Sequence, residues 1–244
     1  WCITTPPPAQ SSIDMNICVS LAAYNGGEYI AEQLTSILGQ LGGNDEVIVS
    51  DDRPDGSTKA AVLPFIESDG RVRYFEGPGK GVIANFESAL RRCTGDVIFL
   101  SDQDDVWLPG KVERVMREFE GGAELVLHDA SVTDSRLNVT ERSYFALHGS
   151  NASYLRNIVK NSFVGCCMAF TREVMLESLP FPEGIPMHDW WIALVALKRR
   201  RKVALVGEPL ILWRRHGDNV TGGSTTAKQK LLWRLRIISA LLKV

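Results

Sequence analysis

No run of roughly 18 or more apolar residues occurs in the chain, so nothing in it reads as a membrane span. Net charge is nearly absent too: 27 basic residues against 29 acidic ones give −2 at pH 7 and a pI near 6.1. That balance argues against bulk attraction to nucleic acid, and any anionic ligand must be met by local groups. Cys-x-x-Cys spacing is missing as well. The five cysteines, Cys2, Cys18, Cys93, Cys166 and Cys167, are odd in number and fall mostly in apolar runs, the pattern of reduced core thiols in a cytoplasmic protein. There is no internal repeat and no low-complexity tract. WCITTPPPAQSS has neither the basic region nor the long apolar stretch of a signal peptide. Residues 1–14 are therefore expected to be a tail, and the glycosylation triplets at Asn138, Asn151 and Asn219 to be chance.

What is present is a globular composition, 45% hydrophobic and 23% charged over 244 residues, enough for one large α/β domain. NICVSLAA (16–23), EVIVS (46–50), RVRYFE (71–76) and DVIFL (96–100) read as strands. Between and after them Ile30, Leu34 and Ile37, then residues 57–68, then Val82, Phe86 and Ala89, then Val112, Val115 and Phe119 recur at helical spacing. Asn25 with Glu28 predicts an N-cap with its reciprocal acid, and Pro109 a first helical turn. Four β-then-α units call for a right-handed, mostly parallel sheet with helices on both faces, whose ligands bind at the carboxyl ends of the strands. ELVLHDASV, GCCMAFT (165–171), KVALV (202–206) and LILWRR (210–215) are expected as later strands, and HDWWIALVALKRR (188–200) as a helix. The expected layout is one domain over 15–222, with a nucleotide-binding half (15–123) and an acceptor half (124–222). A basic amphipathic helix follows over 223–244, its stripe Leu231, Leu235, Ile238 and Leu242 packing on protein or lying on an anionic membrane.

The strand ends are where the unusual polar residues gather. FLSDQDDVW sets Asp102, Asp104 and Asp105 within four positions. Like charges ~4 Å apart repel by about 4 kcal/mol at an effective dielectric of 20, so the cluster must face water, a cation or a metal, or else cap the next helix. Hard carboxylate oxygens suit Mg²⁺ or Mn²⁺ held against a diphosphate. Asp51 and Asp52 end the second strand, where a carboxylate can accept from a ribose hydroxyl or a ring N–H. EGPGKGVIANF offers glycine amides and Lys80 to phosphate, but it lacks the GxxxxGK[ST] spacing of a P-loop. In MHDWW, Asp189 reads either as a helix-start acid or as a general base, with His188 beside it and Trp190 or Trp191 as a sugar platform. RRHGDN (214–219) places His216 in a polar loop after a strand.

The ordered set AAYNGGEYIAEQLTSIL, VIVSDDRPDGS, GKGVIANFESAL, GDVIFLSDQDDVWLPGKVE, HDWW and RRHGDN resembles the family 2 glycosyltransferases, inverting enzymes of the GT-A fold, over roughly residues 16–222. It is most similar to the bacterial rhamnosyltransferase-like branch that builds surface polysaccharide. The resemblance implies that Ala23, Tyr24 and Asn25 line a base pocket, that Asp51 bonds the base with Asp52 beside it, and that Asn85 borders the diphosphate. It implies that Asp102, Gln103 and Asp104 form the DxD, with Asp104 and a late His216 toward a divalent metal, and that Asp189 takes the acceptor proton. The implied donor is dTDP-rhamnose or a UDP-hexose, and the implied acceptor a growing or lipid-linked glycan at the inner face of the cell membrane. Two departures stand out. Arg53-Pro54-Asp55-Gly56 is one residue short of the usual loop, and Ala84 replaces a basic residue whose charge Lys80 or Arg215 would supply. A nucleotide-sugar-binding protein without transfer activity is the alternative. A nucleotidyltransferase would want lysine in AAYNGG, which has none.

Overall fold

The computed structural model describes residues 15–217 and 226–244. The 1–14 tail, the Asn219 triplet, the end of RRHGDN and the first residues of the expected 223–244 segment lie outside them. Strands β1 (Ile17–Ala23), β2 (Glu46–Asp51), β3 (Val72–Glu76) and β4 (Val97–Asp102) alternate with helices α1 (Ile30–Leu38), α2 (Thr58–Ser68) and α3 (Val82–Leu90). All four strands pair in parallel in the order β3-β2-β1-β4. All seven residues of β1 are buried, because helices cover both faces of a strand in the middle of such a sheet. α1 turns Ile30, Leu34 and Ile37 onto the sheet, the positions its 3.6-residue period selects.

The start of α1 differs from the capping expectation. Asn25 sits at φ +51 and caps nothing; Gly26 O accepts from both Tyr29 N and Ile30 N, and the helix opens at Ile30. Pro109 likewise lies before helix α4 (Lys111–Glu120), which starts after Gly110 at φ +82, a left-handed turn that suits glycine. Between β4 and α4 runs the two-residue strand β5 (Val106–Trp107).

The second half completes the sheet with mixed pairing. In chain order come β6 (Leu125–Thr133), β7 (Val139–Glu141), α5 (Tyr144–His148), α6 (Tyr154–Val159), β8 (Met168–Thr171), α7 (Arg172–Ser178), α8 (His188–Lys198), β9 (Val203–Arg214) and α9 (Ala227–Leu241). β8 is antiparallel to β4 and β6, β9 is parallel to β6, and β5 closes the edge against β9. The sheet therefore reads β3-β2-β1-β4-β8-β6-β9-β5, parallel in its first half and mixed in its second. Two expectations are corrected. Residues 165–167 form a 3₁₀ turn before β8 rather than part of the strand. The two late strands are one, β9, which runs through Pro209 with register shifts against β6 on either side of Asp129. Proline cannot donate to the ladder, so continuity there requires irregular pairing. α8 is buried at nine consecutive positions from His188 to Ala196, a helix enclosed on all sides rather than amphipathic.

Candidate active site

Side-chain amides tie the carboxyl ends of the parallel strands together. Gln103 pairs with the backbone of Tyr24 in both directions, Tyr24 N donating to Oε1 at 2.8 Å and Nε2 donating to Tyr24 O at 3.0 Å. Buried Asn85 donates to Ala23 O at 3.0 Å and Ser50 O at 2.9 Å. Buried Gln33 donates to Ser101 Oγ at 2.7 Å and Asp102 O at 3.2 Å. This edge is thus framed by β1, β2 and β4, with Tyr24 exposed and Ala23 buried beside it.

The paired acids after β2 do different work. Asp51 is buried and accepts from Tyr74 Oη at 2.8 Å and Arg53 N at 3.1 Å. Asp52 accepts from Gly79 N at 2.7 Å and Gly81 N at 2.6 Å, fastening the glycine loop that carries exposed Lys80. Gly79 and Gly81 stand at φ +64 and +88, where a side chain would be strained, so the loop needs glycine to present both amides to one carboxylate.

Asp102, Asp104 and Asp105 sit where β4 meets the end of β9. Asp104 Oδ2 lies 2.8 Å from His216 Nε2, and the His216 ring stacks on Tyr29 at 5.1 Å. Asp105 Oδ1 accepts from Arg214 N at 3.0 Å, while its buried Oδ2 has no hydrogen-bond partner among the described residues. Buried Arg214 spans the cluster: Nε donates to Asp104 O at 2.7 Å, Nη1 to Ser135 O at 2.7 Å and Nη2 to Glu32 Oε2 at 2.5 Å. Single ligand atoms of Asp102, Asp105 and Cys166 all lie within 4.8 Å of one another. Burial, then the Asp105 and Asp104 charges, pushes the Asp102 carboxyl well above the usual range, and burial together with Asp104 raises Asp105 to about 7. Lys111 is the counterweight. Its ammonium is fully buried 4.1 Å over the Trp107 ring and donates to Cys166 O at 3.1 Å, and burial lowers it to about 8.

Asp189 opens α8. Gly165 N donates to its Oδ2 at 3.1 Å and Trp190 N to its Oδ1 at 2.5 Å. Burial lifts its carboxyl to about 7 in spite of those donors, so it can hold or release a proton near neutrality. His188, Trp190 and Trp191, expected on the sugar side, are buried beside it. Trp190 donates Nε1 to Asn157 O at 2.6 Å and Trp191 donates Nε1 to Ser178 O at 2.9 Å, both indoles being buried in the core. His188 stacks on Phe86 at 4.0 Å with neither ring nitrogen partnered among the described residues, and burial holds it neutral, down to about 3.

Substitution His188→Phe is accordingly expected to stabilise the protein. At neutral pH it removes two buried orphan nitrogens, worth about 1–3 kcal/mol. Because the folded pKa is depressed below the unfolded value of about 6.5, His188 destabilises increasingly as pH falls below that value. The gain measured by urea unfolding should be larger near pH 5 than near pH 7.5; an equal gain would contradict a neutral buried ring.

The described cysteines Cys18, Cys93, Cys166 and Cys167 are free and buried, as their apolar settings suggest. Sequence reasoning missed Gln33, Tyr74, Lys111 and the bridging part played by Arg214. Only a polar residue at an apolar helical position, as with Gln33, would have signalled any of them.

The mixed α/β sheet thus groups acids at the carboxyl ends of its parallel strands, and the raised Asp189 carboxyl acts electrostatically on one of them, Asp102. The sequence profile of Glycosyl transferase family 2 matches residues 18–179, and the chain belongs to that family. Among its relatives, the dTDP-rhamnosyl transferase RfbG of Shigella flexneri is 25% identical over 86% of this chain and 76% of its own length. TarS of S. aureus, solved with UDP-GlcNAc, superposes with a TM-score of 0.68 at 16% identity, covering 93% of this chain and 66% of that one. Glucosyl-3-phosphoglycerate synthase of Mycobacterium tuberculosis, solved with Mn²⁺, UDP and glucosyl-3-phosphoglycerate, gives a TM-score of 0.59 at 22% identity, covering 94% of this chain and 80% of that one. The chain therefore spans about two thirds to four fifths of these proteins.

Proposed function

We propose that this glycosyltransferase moves a sugar from a nucleoside diphosphate donor to a hydroxyl of a growing or lipid-linked glycan, with inversion, Asp189 acting as general base. The observation that carries this reading is Asp189 itself, a buried carboxylate raised to about 7 whose charge is felt by Asp102 in the acidic cluster. The acceptor hydroxyl gives its proton to Asp189 as its oxygen bonds the anomeric carbon. The bond from that carbon to the diphosphate breaks on the opposite face. Exposed Tyr24, with the Arg53 guanidinium 5.9 Å from its ring, supplies a stacking surface for a base, and Asp51 is the acceptor beside it. RfbG supports dTDP-rhamnose as donor, and the UDP-bound neighbours support UDP-hexoses.

A divalent cation fits the residues present. Asp102, Asp104 and Asp105 concentrate negative charge that helps to raise the Asp102 and Asp105 carboxyls, Asp105 keeps one buried oxygen without a partner among the described residues, and Asp104 with His216 presents an oxygen and a nitrogen side by side. Mg²⁺ or Mn²⁺ on Asp104 and His216, with Asp102 beside them, would supply charge stabilisation for the leaving diphosphate; the Mn²⁺ bound in glucosyl-3-phosphoglycerate synthase supports this. Thermal shift against a panel of nucleotide sugars, with and without Mn²⁺, tests donor and metal together. Asp104→Ala is expected to abolish the metal-dependent part of the donor shift; a shift identical to wild type with Mn²⁺ present would count against metal binding there.

A further inference from the structure

The leucine stripe of α9 is not the face that the helix buries. Ile237 and Leu241 pack inward, whereas Leu231, Leu235, Ile238 and Leu242, spaced i, i+4, i+7 and i+11, are 57, 56, 40 and 81% exposed. α6 meets α9 where Arg234 Nε donates to Val159 O at 2.8 Å, and it leaves Leu155 and Val159 at 73 and 59%. With Leu232 also exposed, the two touching helices and the residue that caps α9 hold seven large apolar side chains in solvent, more than the scattered exposure normal for a surface.

Charge indicates what this face meets. Although the chain has 29 acidic residues, none lies within 142–172 or 226–244. The first segment carries Arg142, Arg156, Lys160 and Arg172, the last bonded to Gly95 O, and the second Lys228, Lys230, Arg234, Arg236 and Lys243. Apolar side chains flanked by cations that outnumber the neighbouring Glu183 complement an anionic lipid surface, the leucines entering the acyl boundary and the cations meeting headgroup phosphates. A second copy docked through the same patch would set basic against basic, which disfavours a symmetric dimer. The face also adjoins the reaction centre, since α6 receives the Trp190 indole at Asn157 O, one residue from Asp189.

We propose that the α6–α9 face docks on an anionic lipid bilayer and holds the acceptor side of the cleft at that surface. The link to a membrane-borne acceptor rests on the glycosyl-transfer reading; the docking does not. The test is flotation of the whole chain with vesicles of phosphatidylcholine alone or mixed with phosphatidylglycerol, across a salt series. Binding is expected only with phosphatidylglycerol and should weaken as salt rises. The pair Lys228→Glu and Lys243→Glu, and separately the pair Leu235→Glu and Leu242→Glu, should each lower the partition coefficient at least ~10-fold, since each basic residue near such a surface is worth about 1 kcal/mol. Both pairs are solvent-exposed, so folding and the thermal shift with nucleotide sugars should be unchanged. Failure of the wild-type chain to float, partition unaltered by either pair, or a dimer in sedimentation velocity that the same substitutions dissolve would each overturn the proposal. Flotation without any response to nucleotide sugars would instead strike the transfer reading and leave the docking standing.

Discussion

Asp189→Asn is expected to reduce sugar transfer by a factor of about 10² to 10⁴, the usual worth of a positioned general base, while leaving donor affinity nearly unchanged. The substitution is nearly isosteric. An asparagine oxygen can keep the bond from Trp190 N, but its amide would then face Gly165 N, donor against donor, at a cost of about 1 kcal/mol. Stability at acidic pH should fall by about that amount. Above about pH 7 a second effect opposes it. The folded pKa of Asp189 is raised above its unfolded value, so the folded state binds the extra proton between roughly pH 4 and 7. The penalty for burying the charge is fully present above about 7 and disappears as pH falls toward 4. Asparagine carries no such penalty, so the variant should gain relative stability as pH rises while losing activity throughout. In the wild-type enzyme kcat/KM should fall as pH drops through about 7, as Asp189 takes up a proton. A variant that turns over donor at the wild-type rate, or a wild-type rate flat from pH 6 to 8, would remove Asp189 from the mechanism.

The first half of the molecule was readable because its signals are local. Each parallel strand is a short apolar run ended by turn residues, and each crossover helix repeats its apolar residues at 3.6. Fold and strand-end position of Asp51, Asp102 and Asp104 follow from those patterns alone. The second half carries its information in long-range contacts. Nothing near Trp190 and Trp191 shows that their indoles will find carbonyls at residues 157 and 178, so a pair of tryptophans beside an acid looks like a sugar platform when it is core. Likewise the leucine stripe of α9 obeys the amphipathic rule, yet Ile237 and Leu241 are what the helix buries, with α6 and α8 packed against it. Lys111 and Arg214 were visible only as charges. Their partners lie 55 residues away at Cys166 and 182 residues away at Glu32, separations that no periodicity encodes.

Arg214→Met is the second substitution expected to have a large effect, and it acts on stability. The guanidinium is buried, stacks 4.7 Å from the Tyr29 ring and donates to two main-chain carbonyls, Asp104 O and Ser135 O, besides Glu32. Methionine fills much of the stem but none of the fork. Each carbonyl left without its donor costs about 1–3 kcal/mol. The Glu32 contact adds little, because that carboxylate is about half exposed and screened by solvent. The two carbonyls together make a cost of about 2–6 kcal/mol, which should lower Tm by about 4–24 °C in a protein of this size. Arg214→Lys keeps the charge but can serve only part of the fork, so it should fall between the two. Because Arg214 N still donates to Asp105 Oδ1 in both variants, the strand end itself should persist, and circular dichroism should show the same secondary structure at low temperature. If Arg214→Met melted with wild type, the guanidinium would be decoration on a cluster held by Lys111 alone.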